Sequence, residues 1–202
     1  MSTLPVLDVA IIATHSKIHG PGTRFVIWLQ GCSRLCKGCA NTDLWPFDKG
    51  KKYTVRDLFE KITGTKGIEG VTITGGEPLD QVDPVLHLMR LLKTSGMTIV
   101  LYSGYELPEI NADVLKREAL EIADIAIIGR YQEENRSTHL RWRGSSNKQF
   151  IFHNEAYKKI FENLEDINEV EIHIDDDGKI IITGYPDKDI REYFANAKII
   201  PR

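Results

Sequence analysis

Residues 25–39 read Phe25-Val-Ile-Trp-Leu-Gln-Gly-Cys32-Ser-Arg-Leu-Cys36-Lys-Gly-Cys39, an apolar run that leads directly into a loop holding all three cysteines of the chain. The apolar run predicts a buried strand from Phe25 to Gln30. The cysteine spacing is C-x3-C-x2-C, with no fourth cysteine in the sequence. Iron–sulfur cubanes are normally held by four thiolates, and structural zinc by four Cys or His ligands. The loop therefore indicates a metal centre with one position that cysteine does not fill.

Two other interpretations of the cysteine loop remain open from the spacing alone. The first is a Cys3His zinc site, in which His15 or His19 approaches the loop in space. The second is a set of redox-sensing thiols. A disulfide framework is disfavoured, because the number of cysteines is odd, all three lie within eight residues and the N-terminus lacks a signal-peptide pattern.

A second motif lies at the end of another predicted strand. Val71-Thr-Ile-Thr74 is a β-branched run, and Gly75-Gly76-Glu77-Pro78 follows it before a helix that opens near Asp83-Pro84. Glycines at a strand end let the backbone come within contact distance of a ligand, and α/β sheets bind ligands at that edge. Alone, the motif is typical of a plain strand-to-helix turn. Together with the cysteine loop, it indicates a ligand site.

The two motifs together resemble the radical S-adenosylmethionine (SAM) superfamily. Further segments agree in order and narrow the resemblance to the activating protein of anaerobic (class III) ribonucleotide reductase and related glycyl-radical enzyme activases, over residues 8 to 153 approximately. Two features depart from that pattern: Glu77 stands where these activases often carry Asp, and the tail after residue 154 is longer than expected. The agreeing segments are His19–Arg24, Phe25–Gly31, Cys36–Asn41, Tyr102–Tyr105, Asp124–Tyr131 and Arg141–Asn147.

The resemblance implies a cofactor and a reaction. Cys32, Cys36 and Cys39 would bind three irons of a [4Fe–4S] cluster, and the amino and carboxylate groups of SAM would bind the fourth iron. One electron from the reduced cluster would cleave SAM, and the resulting 5′-deoxyadenosyl radical would remove a hydrogen atom from the substrate. No catalytic side chain beyond the cluster and SAM is expected, since the cofactor performs the difficult step.

The resemblance also implies contacts to SAM. The Gly-Gly-Glu backbone would meet the amino group, and Ser103 would contact the ribose or simply form a turn. Arg143, or alternatively Arg24, would pair with the carboxylate, while His19 would shape the substrate side. The candidate cofactor-binding residues are Gly38, which would leave room for adenine, Gly75, Gly76, Glu77, Ser103 and Arg143.

Composition is typical of a compact enzyme. A length of 202 residues predicts one domain over residues 1–202, with a core at about 8–153 and an extension at about 154–202. No apolar stretch reaches the roughly 20 residues of a membrane span, and the net charge of −3 gives no reason to expect a nucleic-acid or membrane partner. Reduced thiols predict a cytoplasmic location.

The order of predicted elements indicates an α/β fold. About six parallel strands with helical crossovers would form an incomplete TIM-type barrel, because a full barrel typically needs about 250 residues. The open side of such a barrel suits a protein loop as substrate. The extension predicts a helix from Asn154 to about Leu164, a hairpin of Glu169–Ile174 and Lys179–Thr183, and a final helix at Asp189–Ala197.

Three functions are compatible with these residues. The first is an activase that installs a glycyl radical on a partner enzyme and takes its electron from a low-potential donor such as flavodoxin or ferredoxin. The second is a stand-alone radical SAM enzyme that modifies a peptide or small molecule. The third is a non-catalytic iron–sulfur or zinc binding module.

Overall fold

The computed structural model describes residues 5–167, 169–174, 180–187, 189, 190, 192 and 193. The strands in this part of the chain are β1 (Val6–Ser16), β2 (Arg24–Leu29), β3 (Lys51–Thr54), β4 (Gly70–Gly75), β5 (Thr98–Tyr102), β6 (Ile125–Ile128), β7 (Gln149–Phe152), β8 (Val170–Ile174) and β9 (Ile180–Gly184). The α-helices are α1 (Val55–Gly64), α2 (Val82–Thr94), α3 (Leu107–Asn111), α4 (Val114–Ile122) and α5 (Glu155–Glu162). Among these residues, no helix is long and apolar enough to cross a membrane.

Seven strands form one sheet in the order β3-β1-β2-β4-β5-β6-β7. The four central strands, β2, β4, β5 and β6, are parallel, whereas β1, β3 and β7 pair antiparallel with their neighbours. The fold is therefore mixed α/β with a parallel-rich centre, and the expectation of about six parallel strands is wrong at both edges. The seven residues between β1 and β2 are too few for a crossover, since parallel strands need a connection of a dozen or more residues.

The two faces of the central sheet differ in what covers them. Alternate residues of the parallel strands, such as Ile27, Ile73 and Leu101, pack under the helices in the largest hydrophobic cluster. The residues between them, such as Trp28 and Val100, belong to smaller clusters on the opposite face. That second face carries the cavities described below.

Capping residues mark one end each of α1 and α2. Thr54 caps α1, because its hydroxyl accepts a hydrogen bond from the backbone N–H of Asp57 at 3.1 Å. Gly96, with φ of +82°, follows the end of α2. Lys51 and Lys52 begin the edge strand β3. Charged residues on an edge strand discourage further pairing.

The extension follows the prediction where it is described. Asn154 caps α5 by accepting from the N–H of Ala156 at 3.0 Å, and β8 pairs antiparallel with β9. The residues that would form the predicted hairpin turn, and most of the predicted helix at Asp189–Ala197, lie outside the described residues. Phe161 of α5 packs against Trp142 and Phe150, which ties the extension to the second face of the sheet.

Candidate metal centre and cofactor cavity

The carboxyl ends of the parallel strands meet at one edge of the sheet and surround a cavity of about 150 Å³. β2 leads to the cysteine loop, β4 to the Gly-Gly-Glu turn and β5 to Ser103. Seven of the nine predicted site residues line this cavity, which we call the cluster cavity: Cys32, Cys36, Cys39, Gly75, Gly76, Glu77 and Ser103. The structure thus brings together residues that are up to 71 positions apart in the sequence.

Backbone hydrogen bonds hold the cysteine loop against its neighbours. The N–H of Cys32 donates to the carbonyl of Trp45 at 3.1 Å, and the N–H of Glu77 donates to the carbonyl of Gly31 at 2.8 Å. Asp80 adds a side-chain anchor, because its carboxylate accepts from both the backbone N–H and the hydroxyl of Ser33 at 2.6 and 2.9 Å. The loop and the Gly-Gly-Glu turn are therefore fixed to one another.

The thiols themselves are free of disulfide bonds. Burial raises the pKa of Cys32, and backbone hydrogen bonds from Arg34 and Leu35 oppose that rise. The backbone N–H of Asn41 lies 3.4 Å from Sγ of Cys39 and donates to it. Backbone N–H groups aimed at sulfur stabilise thiolates, which are the form that binds metal.

Gly75 and Gly76 are glycine because the protein's own backbone crowds them. A Cβ on Gly75 would overlap the backbone nitrogen of Leu29, and a Cβ on Gly76 would overlap the carbonyl oxygen of Gly31. Gly75 also has φ of +116°, a conformation that favours glycine. The glycines therefore let the turn of β4 pack directly on the residues that lead into the cysteine loop.

The carboxylate of Glu77 joins the ends of β4 and β5. It accepts from the hydroxyl of Ser103 at 2.8 Å, from the N–H of Gly104 at 2.6 Å and from the N–H of Leu79 at 2.9 Å. Burial raises the pKa of Glu77 to about 7, against the effect of these three donors. Ser103 also accepts from the N–H of Tyr105 at 3.0 Å, so its hydroxyl forms a turn and holds Glu77 in place.

The other two predicted residues, and the alternative Arg24, lie elsewhere. Gly38 adjoins the cluster cavity without lining it, and a Cβ there would lie 2.7 Å from the carboxyl carbon of Glu133. Arg143 donates to the carbonyl of Lys148 at 3.2 Å and lies over the ring of Phe150, outside the cavity. Arg24 opens β2 at the opposite edge of the sheet, where it is fully buried.

Arg24 at that opposite edge has a structural role. Its guanidinium donates to the carbonyls of Val71 and Thr98 at 2.6 and 2.9 Å and to the hydroxyl of Thr98 at 2.7 Å. Burial lowers the pKa of Arg24 to about 10. The side chain thus connects the first residues of β2, β4 and β5, about one strand length from the cysteines.

Sequence reasoning gave no site role to several residues that line the cluster cavity, and four of them bear on what the cavity can bind. Lys148 donates from Nζ to the carbonyl of Gly129 at 2.7 Å, and no carboxylate of the described residues lies within 4.0 Å of it. Burial lowers its pKa, while the carboxyl of Glu77 and nearby thiols act in the opposite direction. The other three are Trp45, Tyr131 and Tyr185.

Two of these missed residues carry polar atoms without a partner. Nε1 of Trp45 and the hydroxyl of Tyr131 are buried and make no hydrogen bond within the described part of the chain. Since buried polar groups are normally hydrogen-bonded, these atoms fit a cavity that receives a ligand rich in acceptors. No sequence motif marks them, although Trp45 lies only six residues after Cys39.

Three free thiols line the cluster cavity. No group of three or more His, Cys, Asp or Glu side chains among the described residues converges enough to hold a single ion. Thiolates around one tetrahedral zinc lie roughly 4 Å apart, because each Zn–S bond is about 2.3 Å. Ligands of a cubane bind different irons and stand farther apart, so three thiols around one cavity fit a cubane.

A second cavity of about 200 Å³ adjoins the cluster cavity on the second face of the sheet. Its walls include His19, Trp28 and strand β9 of the extension, and it shares Tyr102 and Tyr185 with the cluster cavity. His19 accepts or donates at 2.7 Å to the hydroxyl of Ser16, and burial lowers its pKa to about 4. The imidazole is therefore neutral near pH 7.

Comparison with known proteins identifies the family. Residues 18–151 match the family described as "4Fe-4S single cluster domain". The chain belongs to this family. The "anaerobic ribonucleoside-triphosphate reductase-activating protein" of Vibrio cholerae is 32% identical over 139 residues, which are 65% of this chain and 88% of that protein. The protein of the same name from Haemophilus influenzae is 33% identical over 142 residues, with the same coverage.

A more distant similarity is to a solved structure, QueE from Escherichia coli, with a TM-score of 0.43 and 20% identity over 59% of this chain and 68% of that chain. The family match and the reductase-activating relatives confirm the expected membership of the radical SAM superfamily and of its activase branch. The chain is a radical SAM enzyme of the glycyl-radical-activating type, with a [4Fe–4S] cluster and SAM as cofactors.

Proposed function

We propose that this enzyme cleaves SAM reductively at its cluster and installs a glycyl radical on an anaerobic ribonucleotide reductase. The observation that carries the proposal is the meeting of three free thiols and the Gly-Gly-Glu turn in one cavity, with no fourth thiol in the sequence. The relatives at about 30% identity are named as activators of that reductase. A cluster held this way keeps one iron available for SAM.

The cofactors, when bound, supply the electron transfer that converts SAM to a 5′-deoxyadenosyl radical. The chain's own residues bind and orient them. Cys32, Cys36 and Cys39 would ligate three irons. Glu77 and Ser103 would hold the ends of β4 and β5 in register, so that the backbone of the Gly-Gly-Glu turn faces the amino group of SAM.

The carboxylate of SAM needs a cationic partner, and we assign that role to Lys148 in place of Arg143. Lys148 lines the cluster cavity and uses one of its three hydrogens, whereas Arg143 lies over Phe150 outside it. Arg34 and Arg136 also line the cavity. The guanidinium of Arg34 already pairs with Glu109 at 2.8 Å, and Arg136 is exposed and donates to the carbonyl of Pro186 at 3.4 Å. A half-buried ammonium with no carboxylate beside it among the described residues is a costly arrangement unless a ligand supplies the anion.

The fold assignment belongs to the same proposal. We propose that the seven-stranded sheet is an incomplete barrel whose second face receives the substrate. We also propose that the chain is one domain, with a core at residues 8–153 and an extension at 154–202. Two contacts of the extension support this: Phe161 packs on the second face, and Tyr185 lines the second cavity. A cytoplasmic location and a low-potential donor such as flavodoxin or ferredoxin follow from the free thiols and from the chemistry.

The test is anaerobic SAM cleavage by the reconstituted, reduced protein. Wild type should form 5′-deoxyadenosine, and Cys36→Ala should lose both that product and the cluster's EPR signal. Lys37→Ala, in the same loop, is the matched control and should retain both. Equal turnover by wild type and Cys36→Ala would remove the cluster assignment.

The partner is tested separately, with the reductase of the same organism. A glycyl-radical EPR doublet that grows on the reductase as 5′-deoxyadenosine accumulates would support activation. Product formation without a radical on the reductase would instead point to a stand-alone radical SAM enzyme with another substrate.

A further inference from the structure

The cysteine loop contains a strained residue, Leu35, between its first two cysteines. The φ of Leu35 is +46°, in the left-handed region that favours glycine, and 57% of the residue is exposed to solvent. A leucine in this conformation costs free energy, and an exposed side chain recovers little of it by burial. The reason for the conformation therefore lies in the backbone of the loop.

The backbone N–H groups around this turn point at one sulfur. Those of Arg34 and Leu35 hydrogen-bond to the thiol of Cys32, where they oppose the rise in pKa that burial causes. A left-handed residue lets successive N–H groups converge on one anion, an arrangement found at iron–sulfur sites. The two N–H groups of Arg34 and Leu35, which we call the nest, therefore favour a thiolate at Cys32.

Asp80 fixes the residue that precedes the nest. Its Oδ2 accepts from the backbone N–H of Ser33 at 2.6 Å, and its Oδ1 accepts from the hydroxyl of Ser33 at 2.9 Å. Ser33 connects Cys32 to Arg34, so both bonds act on the chain between the sulfur and the first donor of the nest. Asp80 belongs to the short 3₁₀ helix Pro78–Gln81, which directly follows the Gly-Gly-Glu turn. The nest is thereby tied to the end of β4.

Tyr105 orients the carboxylate of Asp80 in turn. Its hydroxyl donates to Oδ1 at 2.8 Å, so the carboxylate accepts three hydrogen bonds. Two cations contact the ring of Tyr105: the guanidinium carbon of Arg34 lies 4.0 Å and the ammonium of Lys116 4.7 Å from its centroid. The guanidinium also pairs with Glu109 at 2.8 Å. The chain is therefore anchored both before the nest and at its first residue.

Hydrogen bonds to the sulfurs of an iron–sulfur cluster are one of the factors that set its reduction potential. Reduction adds one negative charge to the cluster and its thiolates, so N–H donors stabilise the reduced form more than the oxidised form. Two donors held on one thiolate should therefore raise the potential and make the cluster easier to reduce. The negative charge of Asp80 acts in the opposite direction, so an experiment has to separate the two effects.

From these contacts we propose that Asp80 is a positioning residue that raises the reduction potential of the cluster through its hydrogen bonds. It holds Ser33, and this keeps the N–H groups of the nest directed at the sulfur of Cys32. The inference rests on the proposed ligation of an iron by Cys32, and it is independent of the substrate on which the enzyme acts.

The experiment compares two variants of the anaerobically reconstituted full-length protein, without SAM. Asp80→Asn and Asp80→Ala both remove the negative charge. Asparagine keeps an oxygen for the N–H of Ser33, and its amide can donate to the hydroxyls of Ser33 and Tyr105, whereas alanine removes all three contacts. The comparison therefore isolates the hydrogen bonds from the charge. Asp83→Ala, an exposed change in the first turn of α2, is the control.

Reduction is followed by the EPR signal of the cluster in a potentiometric titration. At a fixed potential, the ratio of reduced to oxidised cluster should be about tenfold lower in Asp80→Ala than in Asp80→Asn, which is a midpoint about 59 mV more negative. Asp80→Asn should lie at or above wild type, because the negative charge is gone, and Asp83→Ala should match wild type. Electron–nuclear double resonance in H₂O and D₂O is the second readout. Asp80→Ala should lose exchangeable N–H couplings to the reduced cluster that Asp80→Asn retains.

If Asp80→Ala takes up no cluster, Tyr105→Phe replaces it, because this change removes one donor to the same carboxylate. Its ratio of reduced to oxidised cluster should be about threefold below wild type, and an unchanged ratio would overturn the inference. Equal midpoints of Asp80→Asn and Asp80→Ala would also overturn it, as would a midpoint difference without a change in the couplings. These results leave the proposed ligation in place, since the EPR signal of the cluster is still present. A wild type without that signal would remove the ligation, and the inference with it.

Discussion

Replacing Lys148 by Met tests whether its ammonium binds the carboxylate of SAM. The expected loss of SAM affinity follows from the contacts that Nζ makes. The described contacts of Nζ comprise one hydrogen bond, to the carbonyl of Gly129 at 2.7 Å. If the ammonium also binds the SAM carboxylate, its removal costs one charged hydrogen bond, about 1.5–3 kcal/mol. The dissociation constant of SAM should therefore rise about 10- to 150-fold.

The same substitution should leave the free protein as stable as before. Met has a stem of similar length, and the lost hydrogen bond to Gly129 is offset because a half-buried charge, with no carboxylate beside it among the described residues, is removed. The free energy of unfolding of Lys148→Met should therefore lie within about 1 kcal/mol of wild type. A large loss of stability would mean that the ammonium is a structural anchor and not a ligand contact.

The assay is equilibrium binding of SAM to the anaerobically reconstituted proteins, followed by calorimetry. Lys37→Met, an exposed change within the cysteine loop, is the control. Decarboxylated SAM is the decisive second ligand, because Lys148→Met should change its affinity by less than about twofold. Equal losses for SAM and decarboxylated SAM, or no loss for either, would refute the carboxylate contact.

Three further predictions follow from the same geometry. Arg24→Met should lower the free energy of unfolding by about 3–5 kcal/mol, since it removes three charged hydrogen bonds and the loss is offset in part by the removal of a buried charge. It should leave SAM affinity unchanged; denaturant titration against the exposed change Arg90→Met checks this. Wild type should lose up to about 3 kcal/mol relative to His19→Gln as the pH falls from 6.5 to 4, because burial depresses the pKa of His19 to about 4 and folding then favours the neutral ring. His87→Gln, a change at an exposed position, should leave the pH dependence of the free energy of unfolding as in wild type. If the stability of His19→Gln falls with pH in parallel with wild type, the effect is contradicted. Gly76→Ala should abolish cluster incorporation, measured as iron content, because its Cβ would overlap a carbonyl of the cysteine loop.

The meeting of the two motifs could be predicted from the sequence because both follow strands. The cysteine loop comes after β2 and the Gly-Gly-Glu turn after β4, and these strands are parallel neighbours, with Leu29 opposite Gly75. Parallel neighbours end at the same edge of the sheet, so residues that follow them must come together. The physical reason for the glycines was different from the predicted one, since the crowding atoms belong to the chain itself.

The choice of a cation for SAM could not be made from charge alone. Arg24 could have been excluded from its position, because it opens the strand whose other end leads to Cys32 and must lie about a strand length away. Lys148 and Arg143 follow β6 in a stretch that contains only a short 3₁₀ helix at Glu133–Asn135. Their orientation depends on tertiary contacts, such as the ring of Phe150 under Arg143, which no local pattern records.

The incomplete barrel that we propose creates a conflict, and the extension bears on it. A protein segment can reach the cluster only through an open side, yet a radical site must exclude water. Tyr185 lies between the two cavities, and its ring packs on Gly144 so closely that a Cβ there would lie 2.5 Å from it. With its phenol kept neutral by burial, the ring can cover the cluster cavity. If that account is correct, Tyr185→Ala should raise the ratio of 5′-deoxyadenosine to glycyl radical severalfold, because water and solvent-borne hydrogen donors would then reach the cluster cavity; an unchanged ratio would show that the extension does not shield it.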